Sequence, residues 1–413
     1  MKRFMWAVMA AAFALSSPAA FAEKGPEKWI GTWGSSQYLA EGDNALPAGT
    51  TDITLRQIVR VSRGGERFKV RISNAFGTEP LTIGAVSVAP GTAGSARVDA
   101  DAARVLSFSG RSAVTIPAGA SYESDPVDLA LKPLSDLAIS LYLPKVPARQ
   151  TGHPGSRTTS YRVSGNQVAV ADFTNATAVD RWYHIAAIEV EAKKGAAIVT
   201  IGDSITDGRG STTNGNDRWP DFLAKRLQAD RKLKNLGVLN MGIGGNRILN
   251  DGSGPNAMAR FERDVLSQAG VKYLIVLEGV NDLGTFTRDG ATKDVISDEA
   301  REAHITQMIT AYQQIIRRAR AHGIKVYGAT IMPYNGFDYY KQTPFSEADR
   351  QTVNTWIRTP GNFDGVIDFD AATRDPADPS RLKAEYDVGD HIHPSPAGFK
   401  AMAEAIDLKL FAK

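Results

Sequence analysis

The chain divides by periodicity into two unlike halves. From about Trp29 to Glu191, apolar and polar residues alternate over short runs, and each run closes on a turn signal. Leu55 to Val61 leads through Gly64-Gly65 into Phe68 to Ile72, which reads as two strands joined by a glycine turn. Further strands are expected at Leu81 to Val88, Val105 to Phe108, Ala113 to Ile116, Leu137 to Leu143 and Tyr183 to Val190. Pro90-Gly91, Pro117-Ala118-Gly119 and Ser164-Gly165-Asn166 separate them. No helical period of useful length appears, so the expected packing is an all-β sandwich.

After the polar stretch Glu191 to Gly195 the pattern changes. Ala196 to Ile201 is an uninterrupted apolar run, as expected of a strand covered on both faces. Trp219 to Ala229 then has a helical pattern, followed by a strand ending near Met241 and a helix from about Asn256 to Ala269. The strand Tyr273 to Leu277, a long helix from about Ser297 to His322 and the strand Lys325 to Ile331 continue the alternation. A helix near Glu347 to Ile357, a short strand Val366 to Asp368 and a helix Pro396 to Ile406 end the chain. Strands alternating with helices imply a three-layer α/β/α domain around a parallel sheet.

Composition narrows the partners and the chemistry. A length of 413 residues suits two domains, each long enough to bury its own core. Net charge is only +3, and no basic block is longer than Lys193-Lys194, so no nucleic-acid partner is expected. The chain contains no cysteine, which excludes a thiol nucleophile and thiolate metal sites. At the N-terminus, Lys2 and Arg3 precede the apolar run Phe4 to Leu15, and Ala20-Phe21-Ala22 supplies small residues for cleavage. This pattern is expected of a signal peptide cut after Ala22, giving a periplasmic or secreted protein. The apolar run is shorter than the roughly 20 residues a spanning helix needs, so no stable membrane span should remain after cleavage. The expected organisation is a signal peptide at 1–22, a β-sandwich accessory domain at 23–192 and a catalytic domain at 193–413.

In open parallel sheets, ligands bind beyond the carboxyl ends of the strands, so the residues just after each strand carry the candidate chemistry. After the first comes Gly202-Asp203-Ser204, a serine at a strand-to-helix turn. After the second comes Gly242-Ile243-Gly244-Gly245-Asn246, and after the third Gly279-Val280-Asn281-Asp282. Near the C-terminus, Asp390-His391-Ile392-His393-Pro394 supplies an imidazole three residues after a carboxylate. Singly, each is more often a turn or a cap. Together they are the parts acyl transfer needs: a nucleophile in Ser204, a base in His393 to take its proton, and Asp390 to orient that base. The oxyanion would be met by the Ser204 and Gly245 backbone N–H groups and the Asn281 side-chain amide. Asp203, Asp207 and Asp282 are expected to fix turns. His391 is expected to stand apart as a loop residue. No metal and no cofactor are expected, since the clustered His/Asp sets of a two-metal phosphoesterase are not evident.

These four blocks, in this order and spacing, resemble the SGNH hydrolases, also called the GDSL family of esterases and lipases. Gly202-Asp203-Ser204 matches the family's nucleophile block, with Ile205 where leucine is commoner. Gly245 matches its oxyanion glycine, preceded by Gly244 where relatives often carry serine. Asn281 matches its oxyanion asparagine, Asp390 and His393 match its Asp-x-x-His pair, and Trp219-Pro220 falls where relatives open their first helix. The resemblance runs from about Ala196 to Lys413 and implies an SGNH/flavodoxin-like fold and serine-dependent hydrolysis of carboxylic esters. The stretch Trp29 to Ser36 is similar to the start of the β-domain that precedes this catalytic domain in some secreted bacterial members.

Substrate is less legible. The loop Tyr334 to Tyr340 should rise beside Ser204, where Tyr334 and Phe337 either form an aromatic wall or are buried within the loop itself, and Arg247 either holds a polar group or makes a structural ion pair. Export, the added β-domain and the absence of a long apolar lid favour short-chain esters of a carbohydrate, above all acetyl groups on a polysaccharide or oligosaccharide. The alternatives are a lipase, lysophospholipase or thioesterase acting on longer chains, and a non-catalytic exported carbohydrate-binding protein.

Overall fold

The computed structural model describes residues 28–47, 49–290, 296–340 and 342–412. The expected signal peptide and its cleavage point lie outside the described residues. The N-terminal part is antiparallel throughout, and the C-terminal part carries a fully parallel sheet.

In the β part, Thr51–Arg60 and Asp136–Lys145 form the longest ladder, within a six-stranded sheet. Gly65–Ser73 and Ile185–Glu191 pair within a five-stranded sheet, which also takes Trp29–Gly34 on its edge. Alternate residues of both sheets, among them Leu55, Val59, Phe68, Val70, Leu141 and Ile188, meet in one apolar core. Such a core is the reason the strands alternate. The glycine turn at Gly64-Gly65 does not close a hairpin, contrary to the local pattern. Thr51–Arg60 and Gly65–Ser73 lie in different sheets, so the turn carries the chain across the sandwich. The expected strand Tyr183 to Val190 is likewise broken, since His184 takes φ 62° between Trp182–Tyr183 and Ile185–Glu191.

The parallel sheet has the order Leu236–Gly242, Ala196–Gly202, Val271–Leu277, Lys325–Ala329, Gly365–Ile367. The chain therefore reverses its direction of growth around Ala196–Gly202, and the crevice of such a sheet opens at that reversal. Helices Trp219–Ala229, Asp298–Ala321, Pro344–Arg358 and Pro396–Ala405 agree with the expected ones within a few residues. Asn256 to Ala269 differs: it holds turns and a single π-helical turn, Glu262–Leu266. The helix Val280–Gly290 is hidden in the sequence by its glycines and threonines, which blur the apolar period.

The two parts are joined along the edge strand Leu236–Gly242. Gly31 and Gly34 lie so close to it that a β-carbon on either would run into Leu239 or Met241. The Ser62 hydroxyl accepts from Val238 N–H at 2.8 Å, and the Arg63 guanidinium donates to the Asn235 carbonyl at 2.6 Å. Ile30, on a strand of the β part, is fully buried in the core of the parallel sheet. Its truncation should therefore destabilise the α/β part. Ile30→Ala is expected to lower unfolding free energy by about 2–5 kcal/mol in urea melts; an unchanged midpoint would mean that this strand does not share the core.

Candidate active site

The segment after Ala196–Gly202 turns sharply into the four-residue helix Ser204–Asp207. A β-carbon at Gly202 would lie 2.1 Å from the Thr206 hydroxyl, so only glycine lets the strand and the turn approach this closely. The Asp203 carboxylate caps the turn by accepting from Ile205 N–H at 2.8 Å. The Ser204 carbonyl accepts from both Gly208 and Arg209 N–H at 2.8 Å. The serine is thus held at the carboxyl edge of the sheet, with its side chain in a cleft of about 930 Å³.

His393 reaches Ser204 from the other end of the sequence. Its Nε2 lies 2.8 Å from Ser204 Oγ, and its Nδ1 lies 2.6 Å from Asp390 Oδ2. The second oxygen of Asp390 accepts from the backbone N–H of His393 at 2.9 Å and of Ile392 at 3.2 Å. Burial pushes the Asp390 carboxyl up, but the His393 ring and these N–H groups outweigh it and leave its pKa at about 2. The carboxylate therefore stays charged wherever the imidazole has to be neutral. His391 forms a separate pair, its Nδ1 2.7 Å from Asp387 Oδ2, and is half exposed. It stands apart from the serine, and the hydrogen bond to Ser204 belongs to His393.

Donors surround the serine. Ser204 N–H opens the short helix, and Gly245 takes φ 72°, a conformation that favours glycine. Among the described residues, neither N–H has an acceptor. A β-carbon at Gly244 would meet nothing closer than 3.7 Å, so that position tolerates the serine of relatives. Asn281, buried at the start of Val280–Gly290, donates from Nδ2 to the Asn246 carbonyl at 2.7 Å. Its Oδ1 accepts from the Tyr340 hydroxyl at 2.5 Å. A carbonyl can only accept, so Asn246 fixes which end of the amide is nitrogen and leaves its second N–H uncommitted at the cleft.

Beneath these groups lies Arg260, fully buried. Its guanidinium donates to the Met241 carbonyl at 2.6 Å, the Gly202 carbonyl at 3.1 Å and Asn246 Oδ1 at 2.7 Å. It also meets Asp264 at 3.1 Å and Glu278 at 3.2 Å. Burial and the neighbouring Asp203 raise the Glu278 carboxyl well above its usual range. Asp282, likewise raised by burial to about 6, accepts from Ile248 and Leu249 N–H and so pins the loop after Asn246.

The β part supplies the opposite wall. Tyr38, Phe76, Arg149 and Arg157 line the cleft together with Phe337, Tyr339 and Tyr340. The Phe337 ring stands edge-on to His393 at 6.2 Å between centroids. Tyr334 does not join this wall: it is fully buried, because the chain turns its side chain into the core before the loop rises. Arg247 is likewise diverted, donating to the Asp251 carbonyl and standing outside the cleft lining. His153, from the β part, links the walls. Its Nε2 lies 2.9 Å from Asp207 Oδ1 and its Nδ1 2.7 Å from the Ser36 carbonyl. The roles of Arg260, Tyr340 and His153 escape sequence reasoning, because the contacts that join them to the site reach other elements of the fold: Gly202 and Asn246 for Arg260, Asn281 for Tyr340 and Asp207 for His153. Among the described residues, no group of three or more metal-ligating side chains forms, and no helix is long and apolar enough to cross a membrane.

The fold is that of an α/β/α protein whose site opens at the carboxyl edge of a parallel sheet. Residues 200–401, within the α/β part, match the model of the GDSL-like Lipase/Acylhydrolase family. Among solved structures, the chain is similar to a GDSL-like lipase from Bacteroides thetaiotaomicron VPI-5482, with 17% identity, 52% of this chain and 87% of that chain covered, and a TM-score of 0.37. It is also similar to a catalytic mutant of an acetylxylan esterase from Geobacillus stearothermophilus, with 22% identity, 52% and 94% covered, and a TM-score of 0.36. No curated protein matches the chain.

The Tyr340 hydroxyl orients the Asn281 amide without touching the cleft's reacting atoms. Tyr340→Phe removes one hydrogen bond worth about 1–1.5 kcal/mol. It is expected to lower kcat for ester hydrolysis about 5- to 10-fold at nearly constant KM. An unchanged kcat would show that the amide keeps its orientation unaided.

Proposed function

We propose that the protein is an exported serine esterase, with Ser204 as nucleophile, His393 as general base and Asp390 as the residue that orients it. The observation that carries this reading is the unbroken hydrogen-bonded chain from Ser204 Oγ through His393 to Asp390, opening on a cleft. In the proposed reaction, Ser204 Oγ attacks the ester carbonyl carbon while its proton passes to His393 Nε2. The carbonyl oxygen becomes an oxyanion between Ser204 N–H, Gly245 N–H and the Asn281 amide, each such donor being worth about 2.7–4 kcal/mol. Collapse expels the alcohol, which takes the proton from His393, and leaves an acyl-serine. Water then attacks with His393 again as base, releasing the carboxylic acid and regenerating the serine.

The organisation that goes with this reading is a signal peptide at 1–22, an accessory β-domain at 23–192 and a catalytic domain at 193–413. The substrate we favour is a short acyl ester, above all acetyl, on a carbohydrate. Three features support it: the cleft is broad and open, its rim carries Tyr38, Phe337 and Tyr339 as flat surfaces for sugar rings, and the β part walls one side.

Two measurements check the proposal. Ser204→Ala should abolish ester hydrolysis and labelling by a fluorophosphonate probe while leaving the unfolding midpoint unchanged; retained hydrolysis would end the mechanism. A panel of acetylated xylan, acetylated sugars and p-nitrophenyl esters of rising chain length should give the fastest turnover on acetyl groups. Preference for long chains would reject the carbohydrate assignment and favour a lipase or thioesterase.

A further inference from the structure

Three arginines line the cleft: Arg149 and Arg157 from the β part, and Arg209 from the turn that carries the nucleophile. None of these guanidinium groups has an ion pair or hydrogen bond among the described residues. By contrast, Arg60, Arg71, Arg218, Arg301 and Arg358 each spend their guanidinium group on a carboxylate. Arg157 is the most constrained of the three. Its Nε is buried without a partner, and its backbone sits at φ 50°. Its carbonyl accepts from Asn214 N–H at 2.9 Å, which ties it to the loop following Ser204. Arg209 is tied more directly, since its N–H donates to the Ser204 carbonyl at 2.8 Å. The two carboxylates in the lining leave one positive charge in excess, and neither forms an ion pair with any of the three arginines. Asp251 is engaged by the backbone and side chain of Asn256, and Glu41 makes no ion pair among the described residues. The positive field also reaches the wall: burial and Asp207 raise the Tyr38 phenol, while Arg157 and Arg181 pull it back down.

An unpaired, forked guanidinium in an open cleft is a ready partner for a planar oxyanion, which it binds through two parallel hydrogen bonds. We infer that this cleft takes esters whose alcohol part carries a negative charge, with Arg157 and Arg209 as the binding residues and Arg149 steering at the rim. The chemistry fits an acylated saccharide bearing a carboxylate, as in a uronic acid, or a phosphate. The inference rests on the esterase reading and specifies its substrate.

The test uses the full chain and two acetylated methyl glycosides that differ only in a hydroxymethyl or a carboxylate group, a glucoside and a glucuronoside. A phosphate-bearing acetylated glucoside is a third substrate, and p-nitrophenyl acetate reports esterase competence separately. At low salt, kcat/KM for the charged sugar should exceed that for the neutral one about tenfold or more, a ratio that shrinks at high salt. A larger ratio for the phosphate ester than for the glucuronoside would assign the charge to phosphate and keep the inference. The Arg149→Gln/Arg209→Gln double variant, both positions being exposed, should lower the ratio several-fold, and adding Arg157→Gln should bring it close to one. Equal kcat/KM for charged and neutral sugars, with p-nitrophenyl acetate still hydrolysed, would overturn the inference alone. So would a ratio that survives the arginine substitutions. Failure to hydrolyse any ester would bring down the esterase reading and this inference with it.

Discussion

The site depends on one buried cation. The Arg260 guanidinium holds the carboxyl ends of two neighbouring strands through Gly202 and Met241, and holds the loop after the second strand through Asn246. Taking such a charge out of water is costly unless it is fully hydrogen-bonded. Here Asp264, Glu278 and four uncharged acceptors surround it, one of them the Ser36 hydroxyl of the β part, which also bonds to Asp264. Gly202 precedes the turn that presents Ser204, and the Asn246 carbonyl, just after Gly245, receives the Asn281 amide. One ion therefore sets the spacing between hydroxyl and donors before any substrate arrives. Donors fixed in advance need no reorganisation to meet a developing negative charge, and in the proposed reaction that is what would stabilise it.

A second layer of restraint comes from outside the catalytic fold. His153 grips Asp207, the last residue of the short helix that opens at Ser204, and also bonds to the Ser36 carbonyl. Gly155 lies so close to the Asp207 carboxylate that a β-carbon there would sit 1.9 Å from it. The β part thus does two things at once: it walls the cleft, and it braces the turn on which Ser204 stands.

Much of this is readable from the chain. The uninterrupted run Ala196 to Ile201 identifies a strand buried on both faces, and reading beyond the strand ends leads directly to Ser204, Gly245 and Asn281. These are local signals, carried by neighbours in the chain. What escapes is long-range. Tyr340 meets Asn281 across 59 residues and His153 meets Asp207 across 54, with no periodicity to announce either contact. The turn at Gly64-Gly65 is visible, but whether its flanking strands pair depends on the whole sandwich. Asn256 to Ala269 has a helical pattern, yet Arg260 is drawn inward to the strand ends and the segment yields to that demand. Within Tyr334 to Tyr340, Tyr334 turns into the core while Phe337, Tyr339 and Tyr340 line the cleft, a choice made by the path of the loop and not by residue type.

The grip of His153 and Gly155 on the Ser204 turn bears on how this architecture can change over time. A β-module merely tethered to a hydrolase could be lost, exchanged or duplicated with little penalty. Here its loops share hydrogen bonds with the segment that presents the serine, so the two must drift in step. Variation in ligand preference is then easiest at the rim side chains, whose replacement leaves the shared backbone seam intact.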